Sequence, residues 1–478
     1  MNYPDDFINK IICGDCIEVM KGMPNNSIDT IITDAPYELN FMSKGWDRTG
    51  VAFQVSTWQE VLRVAKPGAT LLCFGGTRTF HRLACAIEDA GWIIKDCIMY
   101  MYGSGFPKAS DISQILDKDE CRKQLEEKLG RKPTKEEFKK AWEGFRKVIG
   151  SKCMHYPDTE NWSNKSNAYT DNSNATVKIA PGTYGENFTR PITAPATPEA
   201  TLWNGWKSHG LKPSYEPILL CMKPNEGSYA NNAVKWGVAG LNIDGGRIDY
   251  AEKGEDPRLG GKGSWKPKRI PDGHTFSPKA KELITSPQGR FPANLILDEE
   301  SARMLDEMSG KLGNAWRPKR DRTKKVTAGC FGGDILGETY NDSGGASRFF
   351  YCAKASKSER NRGCENLYWL DGKLTTKEIW EKLNKENEEN KDNKNFKRHN
   401  IARGNIHPTV KSLALMIYLV KLTLMPNKDQ IYLDNFCGSG TTAMACKETG
   451  RKYIAIDNDK EYVEIAQCRI GVVEPVLI

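Results

Sequence analysis

Two stretches of this chain, 400 residues apart, share one pattern: a run of apolar and β-branched residues that stops at an acid. Ile28-Asp29-Thr30-Ile31-Ile32-Thr33 runs into Asp34, and Gln430-Ile431-Tyr432-Leu433 runs into Asp434. Runs of this kind predict strands covered on both faces, and so a sheet packed between helices. Open α/β sheets bind ligands at the carboxyl ends of their strands, which makes both acids candidate site residues. Asp34 is followed by Ala35-Pro36-Tyr37. Proline fixes its own φ and restricts the residue before it, so Tyr37 leaves the strand on a stiff turn. An acid beside exposed carbonyls and a flat ring suits a planar group bearing an amine, such as a nucleobase. Read alone, the stretch is equally an ordinary Asp-x-Pro turn.

The second stretch tilts that balance. Asp434 is followed by Asn435-Phe436-Cys437-Gly438-Ser439-Gly440-Thr441-Thr442, a helix to about Thr449, and a strand Lys452–Ile456 ending in Asp457 and Asn458. Glycines let the backbone approach a ligand closely, and an acid at the end of the next strand suits a ribose diol. Gly438-x-Gly440-x-x-Ala443 also satisfies the dinucleotide fingerprint, so the motif alone fits a nicotinamide cofactor or S-adenosyl-L-methionine. Three features favour the latter. Only 38 residues (441–478) follow Gly440, so the sheet is expected to be completed by the N-terminal strands. The Phe436 ring and Asp434 carboxylate suit a cationic thioether-like ligand better than a pyrophosphate. The N-terminal half supplies the amine-gripping site.

Between these anchors the chain alternates and then loses regularity. A strand Ile8–Ile12 ends at Gly14-Asp15, and a helix with Ile17, Met20 and Met23 follows. A polar, aromatic loop, Glu38 to Thr49, carries Phe41, Lys44 and Trp46 and is a candidate lid. A helix from Ser56, read as its N-cap, to Val64 leads through Lys66-Pro67-Gly68 into the strand Ala69–Phe74. A helix over Thr79–Ala90 and a strand over Trp92–Tyr100 complete three strand–helix alternations, the signature of a parallel, doubly wound sheet. Trp92–Tyr100 and Tyr215–Met222 are expected to be neighbours separated by a long insertion. Basic loops such as Trp265–Arg269, Arg317–Arg320 and Arg322–Lys325 suit a phosphate backbone, although each alone reads as solvated loop. Leu370–Asn400 reads as a charged helical excursion or linker.

Composition sets outer bounds. The 478 residues are 39% hydrophobic, enough for more than one core, and the net charge of +8 is compatible with a polyanionic partner without requiring one. Fourteen cysteines are scattered through predicted strands and helices, as expected of thiols in a reducing compartment. Cys13-Gly-Asp-Cys16 has metal or redox spacing, but no matching second pair accompanies it, so packed thiols are expected and no metal. The longest apolar run, Leu413–Met425, is broken by Lys421 and too short to span a bilayer. No signal peptide is read at the start, and a cytoplasmic, nucleoid-associated protein with no membrane partner is expected.

On these residues the chain resembles the amino-group DNA methyltransferases of the β class, phage and prophage type, in which the catalytic motif precedes the cofactor motif. Asp34-Ala35-Pro36-Tyr37 resembles that family's Asp-Pro-Pro-Tyr. Asp434 to Gly440 resembles its Asp-Pro-Phe-x-Gly-Ser-Gly, and His407-Pro-Thr-Val-Lys-Ser412 its His-Pro-Thr-x-Lys-Pro. Leu211–Pro217 and Ser343–Lys354 extend the likeness. Ala35, Asn435 and Ser412 depart from it, each replacing a proline. The resemblance implies a seven-stranded, Rossmann-like, doubly wound α/β sheet with permuted motif order and an inserted target-recognition region. It implies Asp34, Ala35, Pro36 and Tyr37 as the catalytic set. For S-adenosyl-L-methionine it implies Asp15, Cys16, Thr33, Asp34, His407, Thr409, Lys411, Asp434, Phe436, Cys437, Gly438, Ser439, Gly440, Thr441, Thr442, Asp457 and Asn458. Within that set Phe436 packs on the cofactor, Asp457 takes the ribose, Asp15 lies by the adenine, and Thr409 with Lys411 takes the methionine carboxylate.

The chain then divides into a catalytic half over 1–105, an insertion over 106–212 expected to contact DNA, and a return strand over 213–224. A target-recognition region over 225–365, a charged excursion over 366–400 and a cofactor half over 401–478 follow. Double-stranded DNA is the expected substrate partner, with room for a homodimer and a cognate restriction endonuclease. Adenine N6 is the expected target, because the family's leading Asp goes mostly with adenine; cytosine N4 is the alternative. A nucleic-acid-binding protein with a relict cofactor site, suggested by Ala35, and a nicotinamide-dependent reductase are readings from other classes.

Overall fold

The computed structural model describes residues 1–39, 45–103, 105, 109–153, 189–248, 289–310, 345–353, 359–390, 393, 396 and 398–474. Its first elements are β1 (Lys10–Cys13), α1 (Cys16–Lys21), β2 (Ile28–Asp34), α2 (Val55–Val64), β3 (Ala65–Phe74), α3 (Phe80–Asp89) and β4 (Ile93–Met101). A separate compact unit, Ser104–Ser214, follows. It comprises α4 (Ile112–Leu129), α5 (Lys135–Phe145), the antiparallel hairpin of β5 (Val148–Cys153) and β6 (Thr189–Thr193), and α6 (Pro198–Leu202). Its centre is a buried ion pair, Asp117 to Arg146 at 2.8 Å. Asp117 also accepts the backbone N–H groups of Ala196 and Thr197, so the charge is fully engaged.

The larger unit resumes with β7 (Tyr215–Met222), α7 (Tyr229–Trp236), β8 (Leu295–Asp298), α8 (Glu299–Ser309) and β9 (Tyr351–Ala353). Then come β10 (Tyr368–Leu370), β11 (Lys373–Thr375), α9 (Lys377–Glu389), β12 (Ile401–Arg403), α10 (Leu413–Leu422), β13 (Ile431–Asp434), α11 (Thr441–Glu448), β14 (Lys452–Asp457) and α12 (Lys460–Gly471). The central sheet has the order β1-β14-β13-β2-β3-β7-β4-β8-β9. Every pairing is parallel except those of β7, which runs against both β3 and β4. The α/β, mostly parallel architecture is the one expected. The strand count is nine rather than seven, because β8 and β9, placed in the recognition region by the sequence reading, extend the sheet beyond β4.

Alternation along the strands explains the layering. Ile31, Leu71 and Leu433 point into one apolar core, while their neighbours Ile32, Leu72 and Tyr432 point into a second core on the other face. The second core also takes α10, whose Leu413, Leu415, Met416, Leu419, Val420 and Leu422 are all buried; a helix apolar nearly all round belongs inside. The two chain ends meet at β2 and β13, where Leu433 pairs with Ile31. Polar clamps flank that seam: Ile431 N donates to Asp29 Oδ2 at 2.8 Å and Gln430 Nε2 to Thr30 Oγ1 at 3.0 Å.

Three local expectations change. Gln54, not Ser56, stands before α2, and it caps without a side-chain hydrogen bond. Lys66-Pro67-Gly68 lies within β3 as an irregularity: Ile28 pairs with Ala65 but Thr30 with Thr70. The region over 366–400 is more than a linker. Strands β11, β10 and β12 form a small antiparallel sheet, and Trp369 is buried with Cys364, Leu367, Tyr462 and Ile465. The basic loops Trp265–Arg269, Arg317–Arg320 and Arg322–Lys325, together with Phe41 and Lys44, lie outside the described residues.

Truncation at the seam is the sharpest probe of this packing. Ile31→Ala, at a fully buried position, is expected to cost about 2–5 kcal/mol, lowering the urea midpoint. Ile379→Ala on exposed α9 is expected to stay within about 0.5 kcal/mol.

Candidate active site

Parallel strands deliver their carboxyl ends to one edge, and the predicted residues gather there. Thr33 Oγ1 donates to Asp434 Oδ1 at 2.9 Å, so the residue before Asp34 is bonded directly to the acid of the cofactor motif. Asp434 Oδ1 also accepts the Phe436 N–H at 3.2 Å. Asp457, at the end of β14, accepts the N–H groups of Gly438 at 2.7 Å and Asp459 at 2.9 Å, which ties the glycine loop to the next strand. Phe436 packs edge-on to buried Trp58, their centroids 6.5 Å apart. Asn458 is exposed beside Asp457.

The loop over 437–440 is shaped for close backbone approach. Gly438 and Gly440 both have positive φ, +50° and +75°. A Cβ on Gly438 would lie 2.7 Å from His407 Nε2, and one on Gly440 2.8 Å from Ala466 Cβ, so only glycine fits either position. His407 is therefore packed beneath the loop, edge-on to Tyr462, and its Nδ1 accepts the Thr409 N–H at 3.3 Å. Burial, with Arg360 and Arg469 nearby, lowers its pKa to about 3, so the ring is neutral. Arg469, a residue the sequence reading passed over, is fully buried on α12. Its Nη1 donates to the carbonyl and hydroxyl of Ser439 and to the Thr441 hydroxyl. The signal for it was an arginine on the apolar face of a helix, among Ile465, Ala466 and Ile470.

Asp34 lies in a charged cluster that the motifs did not predict. Lys411 Nζ stands 3.2 Å from Asp34 Oδ2, 3.0 Å from the Tyr37 hydroxyl and 2.9 Å from Glu216 Oε2. Lys411, expected with Thr409 at a cofactor carboxylate, lies at the Asp34–Tyr37 end of the site. An ammonium has three N–H groups, and all three are engaged. The other carboxylate oxygen, Oδ1 of Asp34, is buried and accepts no hydrogen bond among the described residues. The Tyr37 ring lies against Gly76, where a Cβ would come within 3.1 Å of it, and the Tyr37 carbonyl accepts the Thr79 hydroxyl at 2.8 Å. Ala35 is buried in the first core. Asp15 caps α1 by accepting the N–H groups of Ile17 and Glu18, and burial pushes the neighbouring Cys16 thiol up to about 12, which makes it a poor thiolate.

Among the described residues no cation pairs with Asp434 or Asp457. Burial raises the Asp434 carboxyl to about 7 and Asp457 to about 6, only partly offset by their hydrogen bonds. Burial also raises Asp34; Lys411 pulls it back while Glu216 pushes it further up. A glycine cradle beside two acids that burial leaves underionised fits a ligand carrying a positive charge near a ribose, as S-adenosyl-L-methionine does. Among the described residues no cluster of His, Cys, Asp and Glu has the arrangement of a metal site. No helix among them is long and apolar enough to cross a membrane.

Comparison with known proteins shows the family to which the chain is related. The family described as DNA methylase matches residues 28–468. The type II methyltransferase M2.LlaDCHI of Lactococcus lactis subsp. cremoris is 45% identical over 66 residues, 14% of this chain and 23% of that protein. The type II methyltransferase M.HinfI of Haemophilus influenzae is 27% identical over 114 residues, 20% of this chain and 32% of that protein. The aligned stretches thus span about a quarter to a third of these relatives. Among solved structures, the M1.HpyAVI–SAM complex is 14% identical at a TM-score of 0.33, covering 97% of this chain and 99% of that one. The cytosine-N4-specific PvuII DNA methyltransferase is 12% identical at 0.37, covering 96% and 85%.

The raised acids make stability depend on pH in a definite direction. Asp434 holds its proton more tightly when folded (about 7) than at its ordinary value of 3.8. The folded state therefore binds more protons between those values, and stability falls as pH rises through that window. In ligand-free protein, urea midpoints at pH 5 and pH 8 should fall less for Asp434→Asn than for the unsubstituted chain.

Proposed function

The chain belongs to the DNA methylase family, and we propose that it transfers the methyl group of S-adenosyl-L-methionine to the exocyclic N6 amine of an adenine turned out of duplex DNA. The observation that carries this reading is the buried Oδ1 of Asp34, which accepts no hydrogen bond among the described residues, one strand from the glycine cradle. A buried acceptor without a donor is uncommon and calls for one.

An exocyclic amine is a poor nucleophile because its lone pair is delocalised into the ring. One amine N–H donated to Asp34 and the other to the Ala35 carbonyl would draw the nitrogen towards sp³ and aim its lone pair at the methyl donor. Orientation and electrostatic preorganisation do this work. The bound cofactor supplies an electrophilic methyl on a sulfonium. Transfer would form a nitrogen–carbon bond as the carbon–sulfur bond breaks, with the thioether as leaving group and the surplus amine proton passing to water afterwards. The amine is out of reach inside a duplex, so the base must be extruded, and Tyr37 offers it a ring to stack on. Phe436 and Asp457 are assigned to the cofactor, and Asp34 to Tyr37 to the base. Adenine is preferred on the leading Asp of the motif.

Incubation with labelled S-adenosyl-L-methionine and mixed-sequence duplex DNA, followed by digestion to nucleosides, tests the reading. N6-methyl-2′-deoxyadenosine is expected; N4-methyl-2′-deoxycytidine would move the target, and no label would overturn the proposal. Asp34→Ala should abolish transfer while S-adenosyl-L-methionine still binds by calorimetry. Gly438→Ala should weaken that binding about tenfold or more, from backbone strain of about 1–3 kcal/mol.

A further inference from the structure

Asp34 does not meet its ligand alone. β7 runs antiparallel to its neighbours, so its amino-terminal end lies at the edge where the parallel strands have their carboxyl ends. That brings Glu216, the second residue of β7, to the Asp34 site, while Lys411 arrives from the segment just before Ser412, the N-cap of α10. The side chains of Lys411, Asp34 and Glu216 are only 12%, 25% and 22% exposed, and Lys411 also lies over the Phe74 ring, 4.8 Å from its centroid. Nothing in the motif reading gave Glu216 a role, and the ammonium faces two carboxylates where one would neutralise it.

We propose that Lys411 and Glu216 are the positioning pair of this site. Lys411 fastens Oδ2 of Asp34 and the Tyr37 hydroxyl, leaving Oδ1 as the acceptor for the incoming amine, and Glu216 anchors Lys411. The consequence for catalysis rests on the methyl-transfer reading; the arrangement of charges does not. Lys411 favours the ionised form of Asp34 against burial, and a protonated Asp34 would donate where it must accept. Glu216 opposes that charge effect but fixes where the ammonium sits. The other groups bearing on Asp34 are Tyr37, the Asp434 carboxyl on β13 and the Cys73 thiol on β3. None of them changes in the variants below.

The pair therefore has opposite effects on one titration. With ¹³C-carboxyl-labelled aspartate and Asp34 assigned through Asp34→Asn, the Asp34 midpoint in ligand-free protein is expected to rise by about 1–3 units in Lys411→Met. It is expected to fall below that of the unsubstituted protein in Glu216→Gln, and to lie between the two in the double variant. Should Lys411→Met fail to fold, Lys411→Gln, which keeps a donor but no charge, should show the same rise. In methyl-transfer assays the acid limb of the kcat profile should move with these midpoints. In both single variants kcat should fall about 10–100-fold, while KM for S-adenosyl-L-methionine stays within about twofold. Midpoints that do not move, or move the same way in both variants, overturn the pairing. A large rise in KM at unchanged kcat would return Lys411 to the cofactor. If the unsubstituted protein transfers no methyl group, the methyl-transfer reading fails while the titration still decides the pair.

Discussion

The site exists because β13 pairs with β2. Residues some 400 positions apart lie in register, and three side chains bind across the seam: Asp29, Thr30 and Thr33 from one end, facing Ile431 N, Gln430 and Asp434 from the other. Each clamp sits in or beside a region buried on both faces, where an unmade hydrogen bond is costly. The clamps thus specify register as well as add stability, since a slip by one residue would turn Ile31 and Ile32 each towards the wrong core. With register set, Asp34 and Asp434 end adjacent strands, and the glycine cradle faces the Asp-Ala-Pro-Tyr turn.

A second constraint is charge. Asp34, Asp434 and Asp457 crowd one edge of a sheet whose interior disfavours their ionised forms. The structure meets this unevenly. Among the described residues Asp434 and Asp457 have hydrogen bonds and no cation, whereas Asp34 has Lys411, which offsets part of the rise that burial causes at all three. The acids of the cofactor motif are therefore suited to a cationic ligand, whereas the acid of the catalytic motif carries its own cation. That division matches the roles proposed for the two motifs, one binding a sulfonium and the other accepting hydrogen bonds from a neutral amine.

Much of the scaffold was legible because both-face burial leaves an unambiguous imprint. Apart from Asp29, Ile28–Thr33 and Ile431–Leu433 are apolar, aromatic or β-branched without alternation, and both became central strands. The pairing of Trp92–Tyr100 with Tyr215–Met222 was also readable, since each is a strand-length apolar run on either side of an irregular insertion. The misreadings fall where the imprint is weak. Asn294–Leu297 and Arg348–Cys352 are too short to declare their partners, and only tertiary contact joins them to the sheet. The Lys- and Glu-rich excursion reads as a linker because its short apolar anchor, Leu367 to Trp369, is followed by a long run of charges.

By itself the sequence determined the strands, the acids that end them, the glycines that no other residue could replace, and the order of the two motifs. These are local properties, set by periodicity, by φ and by what may follow a strand. Tertiary structure alone decided which groups share a charge. Lys411 meets both Asp34 and Glu216 because an antiparallel strand turns its first residues towards an edge that parallel neighbours reach with their last. Arg469 lies beneath Ser439 because α12 packs there. Such meetings depend on strand direction and helix placement across hundreds of residues, and no short motif records them.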